Sequence, residues 1–320
     1  MGSRGRRSGR DRPPGRAAAR LALLVAALIW GASFTIVQVA LRDLGVFHLL
    51  ALRFALATAL LWPLARRGVT PEPRRGVLRD GAALLVGLAL FAGFVLQTAG
   101  LRFTTPAKSA FITGLSVVLV PLLGWAAGGA RPRWGPALGA LCALAGLYAL
   151  YSPLAGATVT LNLGDWLTLA GAISFAAHVL LVERHVHRVG VQRLALAQFA
   201  VVAVLAAPSL LAPPTAAELT PRALTAVAVT AVFATVLAFL CQLYAQRHLS
   251  ATETVVWLTL EPLFAAAISI AAGAEAFGMP LVAGGALILF GMLLSQFGAA
   301  VPEPSLAEHG GDPHPPSDPS

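Results

Sequence analysis

Charge is scarce in this sequence. Asp, Glu, Lys and Arg together make up 12% of 320 residues while 57% are hydrophobic, against about one quarter charged in a soluble domain. Such a composition excludes a water-soluble globule. Lysine is almost missing, with Lys108 alone among the 23 Lys and Arg residues. The two cysteines, Cys142 and Cys241, both sit in apolar runs, which excludes a disulfide framework or a thiolate metal cluster and leaves them as small buried hydrophobes. There is no Gly-rich phosphate loop with its lysine and no nucleophile elbow. Work done by this chain must therefore draw on gradients, and no cofactor is expected. The formal charge of +9 does not point to nucleic acid, because the basic residues lie in short gaps and the N-terminal tail without an aromatic-interleaved basic face.

What the sequence has in abundance is apolar runs of about 20 residues, the length that spans a bilayer. They predict an all-α integral membrane fold with ten transmembrane helices, near 21–41, 46–65, 81–101, 105–128, 134–152, 165–183, 191–211, 223–245, 252–273 and 277–298. The start has the charged, apolar and small-residue pattern of a signal peptide, but the run continues through "FTIVQVAL" to spanning length and reads as a retained first helix. Residues 1–20 form a basic tail, and the proline-rich end, 299–320, reads as disordered.

Orientation follows from the arginines. With the N-terminus cytoplasmic, Arg4, Arg6, Arg7, Arg10, Arg12, Arg16, Arg20, Arg66, Arg67, Arg74, Arg75, Arg79, Arg131, Arg133, Arg184, Arg188, Arg193 and Arg247 all fall inside. Only Arg42, Arg102 and Arg222 fall outside, and Arg53 and Lys108 lie within spans. The bias predicts both termini in the cytoplasm.

The chain also resembles itself. A shift of 145 residues sets "LQTAGLRFTTPAKSAFI" beside "CQLYAQRHLSATETVVW", pairing Gln97 with Gln242 and Arg102 with Arg247, and it pairs Arg53 with Gln198. At a shift of 141, "GASF" meets "AISF" and Ser33 meets Ser174. Two repeats, 21–152 and 165–298, follow. Five crossings is an odd number, so the second copy is expected inverted, as in secondary transporters whose substrate site lies where the repeats meet.

Within the ninth span, "VVWLTLEPLFAAAISIAAG" carries Glu261 followed by Pro262. A mid-span carboxylate costs roughly 2.5–3.5 kcal/mol on insertion scales, and proline removes a backbone hydrogen bond that lipid cannot replace. Both belong where a helix faces protein or water. Glu253, Trp257 and Glu261 are spaced to share one helix stripe, with Glu253 reading as a helix-end residue near the cytoplasmic surface. Arg53 cannot deprotonate and needs an anion, carbonyls or a route to the interface, with structural pairing favoured over a substrate carboxylate. Lys108 opens the fourth helix near the outer face, where it either snorkels or meets a solute. Trp30, Ser33, Phe34, Gln97, Thr113, His178, Gln242 and Tyr244 complete the candidate lining. Trp30 and Phe34 share a face, and His178 is a buried histidine able to relay protons. The "ERHVH" cluster from Glu183 to His187 reads as a helix end at a loop, without metal spacing. Gly124 with Gly128, and Gly135 with Gly139, read as close-packing pairs.

Together "WGASF" in the first helix, "LRFALA" in the second, "SAFITGLSVVLVPLLG" in the fourth, and "LEPLFAAAISIAAGAEAFG" with "GGALILFGMLLS" near the end resemble the drug/metabolite transporter superfamily, specifically its EamA-type proteins. The resemblance covers 21–298. It implies a multi-pass plasma-membrane carrier, often an exporter of amino acids, other metabolites or drugs, working by alternating access through a central cavity. The chain departs from the family where Gly-Glu follows the fourth and ninth helices: here stand "GGARPR" and Ala274 before Glu275. The partners implied are a small-molecule substrate, the lipid bilayer and a coupling proton or ion. A rival from another class is an intramembrane lipid-modifying enzyme using Glu261 and His178 as acid and base, which would need convergent catalytic groups that the sequence does not display.

Overall fold

A computed structural model describes residues 14–67, 81–129, 134–151, 161–212, 214–215 and 218–294. The extreme tails, and with them the readings on 1–13 and 299–320, lie outside the described residues. Among the described residues every regular element is helical: α1 (Pro14–Ala40), α2 (Val46–Arg67), α3 (Ala82–Gly100), α4 (Pro106–Gly114), α5 (Ser116–Ala126), α6 (Trp134–Tyr151), α7 (Leu163–Val189), α8 (Val191–Ala206), α9 (Pro221–Val229), α10 (Ala238–Gln246), α11 (Ala251–Leu258), α12 (Glu261–Ala271) and α13 (Met279–Leu294). A 3₁₀ turn, Ala207–Leu211, extends α8, and a π-helical segment, Thr230–Leu237, joins α9 to α10. Eight stretches are long and apolar enough to cross a membrane, among them Pro106–Ala126, Pro221–Gln246 and Ala251–Ala271, each built from more than one element. α13 is apolar but shorter, at 16 residues, and it packs along α6.

Small residues let these helices touch. A Cβ on Gly31 of α1 would lie 2.7 Å from Phe264 Cβ and 2.9 Å from the Ala265 nitrogen and the Glu261 carbonyl oxygen of α12. α3 and α7 meet the same way, since a Cβ on Gly164 would stand 2.5 Å from the Gly100 carbonyl oxygen. In a membrane, where lipid is as apolar as leucine, such close backbone approach supplies the packing that burial supplies in water. Polar residues knit the ends. Thr104 donates to Asp165 at 2.8 Å, Asp165 and Asn162 form a capping box on α7, and Arg222 and Thr220 both donate to Asp43.

Several sequence expectations are corrected. α1 begins at Pro14, not near 21, because Arg16 and Arg20 ride on its first turns and pair with Glu253 at the start of α11. Glu253 is thus an interhelical ion-pair residue. The cluster Glu183 to His187 is a helix end as expected but lies inside the last two turns of α7, which continues to Val189, and Glu183 accepts the Ala251 backbone N–H at 2.8 Å, capping α11 from a distance. Gly128 is no packing residue: it has φ +88 with nothing near its missing Cβ, and it ends α5 in the left-handed region that favours glycine. Gly124 makes only an ordinary contact with Leu180. The stripe through Glu253, Trp257 and Glu261 is divided among different surroundings: Glu253 pairs with Arg16 and Arg20, Trp257 packs on Ala19 and Leu23, and Glu261 lies beyond a break at Thr259 and Leu260.

Candidate functional site

Two breaks shape the interior. α4 gives way to α5 at Leu115, and α11 to α12 at Thr259 and Leu260. At the second, the chain turns through short bonds from Thr259 to the Val256 carbonyl and Leu260 to the Trp257 carbonyl, and Pro262 sits in the first turn of the new helix, where its missing N–H is least needed. The break leaves Glu261 in the first turn of α12. A helix N-terminus carries partial positive charge that favours an anion.

Between the breaks lies a cavity of about 80 Å³, room for about five waters at ~15 Å³ each. Its lining comes from α1 (Trp30, Ser33, Phe34), α2 (Arg53), α3 (Phe94, Gln97), α4 and α5 (Thr113, Ser116), α7 (Phe175, His178), α10 (Phe239, Gln242), α11 (Leu258) and α12 (Glu261). Nine of the twelve residues singled out in the sequence therefore face one space: Trp30, Ser33, Phe34, Arg53, Gln97, Thr113, His178, Gln242 and Glu261.

Most of this lining is held by protein. Trp30 Nε1 donates to the Ala234 carbonyl at 2.8 Å, and its ring meets Phe239 edge-on at 5.1 Å. Ser33 Oγ donates back to the Trp30 carbonyl at 2.8 Å. Gln97 Nε2 donates to Thr113 Oγ1 at 2.9 Å, tying α3 to α4 just before its break. His178 Nε2 and Gln198 Oε1 are 2.7 Å apart, both buried. Arg53 Nε donates to Thr235 Oγ1 at 2.7 Å, and its guanidinium lies 4.8 Å from the centre of the Phe94 ring.

The π segment sets two of these contacts. Its wider turns direct the Ala234 carbonyl to Trp30 and the Thr235 hydroxyl to Arg53, while that hydroxyl itself donates to the Thr230 carbonyl at 3.0 Å. Such π bulges recur at functional sites.

Glu261 differs from every other described carboxylate. Asp43, Asp165, Glu183, Glu218, Glu253 and Glu275 each accept hydrogen bonds from the protein. No hydrogen bond or ion pair engages the Glu261 side chain among the described residues. It is half-buried and turned to the cavity.

Three candidates fall elsewhere. Lys108 is half-buried in the first turn of α4 and lies off the cavity lining. Tyr244 is 37% exposed and meets the His248 ring at 4.9 Å; two residues beyond Gln242, it points to the opposite side of α10. Trp257 packs with Ala19, Leu23, Ala245 and Leu249. Sequence reasoning missed Phe94, Phe175 and Phe239 of the lining, although the repeat contained the signal: the shift of 145 pairs Phe94 with Phe239, and the shift of 141 pairs Phe34 with Phe175. It also missed Ser116, which the shift of 145 places opposite Glu261.

Comparison with known proteins agrees with this arrangement. A solved crystal structure, 19% identical, superposes over 89% of this chain and 98% of its own with a TM-score of 0.68, which establishes a shared fold. Two proteins of Archaeoglobus fulgidus, each described as an uncharacterized transporter, are 30% identical over 86% of this chain and 85% of theirs, and 26% identical over 86% and 96%. The model of the EamA-like transporter family matches residues 18–152 and again 162–297. With that double match, the multiple apolar helices and the cavity between broken helices, the chain belongs to the EamA-like transporter family.

Proposed function

We propose that this protein is a secondary carrier that exports small metabolites, amino acids or drugs across the plasma membrane by alternating access, the cavity being the solute site. Ten crossings arranged as two inverted repeats, 21–152 and 165–298, with both termini cytoplasmic, form the frame of the reading. The observation that carries it is Glu261, a carboxylate midway along an apolar span, at a helix break, without a partner among the described residues and open to a shared cavity. Intramembrane carboxylates are expensive and belong to ion, proton or substrate pathways. Broken helices at the repeat interface provide the same kind of site in other carriers. In this reading Glu261 binds a coupling proton or ion, or the solute itself, and the two breaks are where the helices bend as access alternates.

Inverted membrane vesicles containing the protein, supplied with a panel of labelled metabolites, test the proposal. Saturable uptake of an unchanged solute, lost on collapsing the ion gradients, is the expected result. A chemically altered product would instead mark an enzyme, and non-saturating flux a pore. Tags on both termini should react only from the cytoplasmic face, and a tag reached from outside at the C-terminus would break the inverted-repeat scheme.

A further inference from the structure

We propose that Arg53 is an anion subsite, taking the carboxylate of a small solute with an apolar body. The inference rests on the reading of the cavity as a solute site. Arg53 is 2% exposed, yet it lines the cavity. Its guanidinium remains charged. The protein meets that charge incompletely: Nε reaches Thr235 Oγ1, the planar face lies against Phe94 and Phe54, and Nη2 is buried without any hydrogen-bond partner among the described residues. Arg16 and Arg20 pair with Glu253 and Arg222 pairs with Asp43, and Arg53 belongs to none of these pairs.

The second repeat provides a contrast. Gln198, the counterpart of Arg53, is neutral and spends its Oε1 on His178. Only the first repeat puts a permanent cation at this position, and that positive charge is left to be matched by something that enters. A buried charge is stable when it is paired and hydrogen-bonded, and guanidinium binds carboxylate strongly through charge-assisted hydrogen bonds. Trp30, Phe94 and Phe239 wall the cavity beside it, so the rest of the solute meets aromatic surface.

The test reads binding, so that failure to carry and failure to bind remain separate. Purified full-length protein in lipid nanodiscs is titrated by calorimetry at pH 7 with small carboxylates, phenylacetate and hexanoate among them, each beside its neutral amide. The expected result is a preference for the acid of about ten- to one-hundredfold, the range of hydrogen bonds to charged groups. That preference should vanish in Arg53→Gln and survive, reduced, in Arg53→Lys. Thr235→Val, which unhooks Nε but keeps the charge, should retain its sign. Equal binding of acids and amides, no binding of either, or an acid preference undiminished in Arg53→Gln would each overturn the subsite. The comparison on the unaltered protein decides even where a variant fails to fold. Acid preference without any saturable transport would uphold the subsite and overturn the carrier reading.

Discussion

The helices that break, α4–α5 and α11–α12, are the same device made twice and then put to different use. Shifted by 145 residues they match in punctuation: Thr105 and Ser250 cap their starts, Leu115 and Leu260 mark the breaks, and Gly128 and Gly273, with φ +88 and +68, close their ends. Each start is also held by a carboxylate from far along the chain. Glu275 accepts from Thr105 Oγ1 and the Ala107 N–H, and Glu183 from the Ala251 N–H. At the residue just after the break the copies part, with Ser116 in one and Glu261 in the other. Duplication accounts for backbone shape; the chemistry comes from where the copies diverge. The same holds at Val37 and His178 under the shift of 141, and at Arg53 and Gln198. The titratable or permanently charged groups of the cavity all sit where the repeats disagree.

The largest effect is expected at the divergent pair. Glu261→Gln should insert normally but lose at least about tenfold in transport, equivalent to ~1.4 kcal/mol of barrier, or lose its pH dependence, while Ser116→Ala stays within about twofold. Reconstituted vesicles at matched protein abundance, assayed across pH beside Glu261→Asp, give the comparison. Equal losses at both positions would mean that the break matters and the carboxylate does not. Next comes Gly31, whose counterpart under the shift of 141 is the fully buried Ala172. α7 has room for a methyl group there and α1 does not, so Gly31→Ala should destabilise by about 1–3 kcal/mol through overpacking, read as a lower thermal midpoint in detergent.

Where the copies agree, so should their variants. Gly128→Ala and Gly273→Ala introduce a Cβ with nothing within 4 Å, so each should lose about 1 kcal/mol from left-handed backbone strain alone. Unequal thermal shifts would show that the two caps bear different loads.

The smallest effect is electrostatic. Hydrogen bonds from the Arg222 guanidinium and Thr220 hold the Asp43 carboxyl below its ordinary value of 3.8. A depressed folded pKa contributes stability above the unfolded value, lost as pH falls through the folded one. Asp43→Asn should therefore lower the thermal midpoint slightly at neutral pH, and the difference should fade as pH falls below 3.8 through the folded value. The pair is exposed on its Arg222 side, so salt should shrink the difference.

Much of this was legible in the sequence. Apolar run length located most of the helices within a few residues, missing the early start of α1 and the late end of α7, and the polar exceptions located most of the polar cavity lining. Pro262 announced one break. The other is announced less plainly: Leu115 follows Gly114 in an apolar run whose proline, Pro121, lies six residues further on inside α5, and its repeat partner marks it better. The readings that failed did so for definite reasons. Trp257 shares a stripe with Glu261 only on one continuous helix, and Tyr244 has suitable chemistry although helical phase turns it from Gln242. Glu183 and Glu275 act on residues 68 and more than 160 positions away, a pairing that only the folded chain creates. The π segment is similarly hidden, since "TAVFATVL" has the composition of any membrane helix.

That π segment bears on how the chain tolerates editing. In an ordinary membrane helix a one-residue deletion turns everything downstream by about 100° and would move Phe239 and Gln242 out of the cavity. Within Thr230–Leu237 the wide turn already holds a surplus residue. Removing one there should close the turn to α-helical geometry while the faces on either side keep their aim, so the helix survives and the acceptors offered to Trp30 and Arg53 are withdrawn. The surplus residue is a spare length of chain whose presence fixes a tryptophan and an arginine.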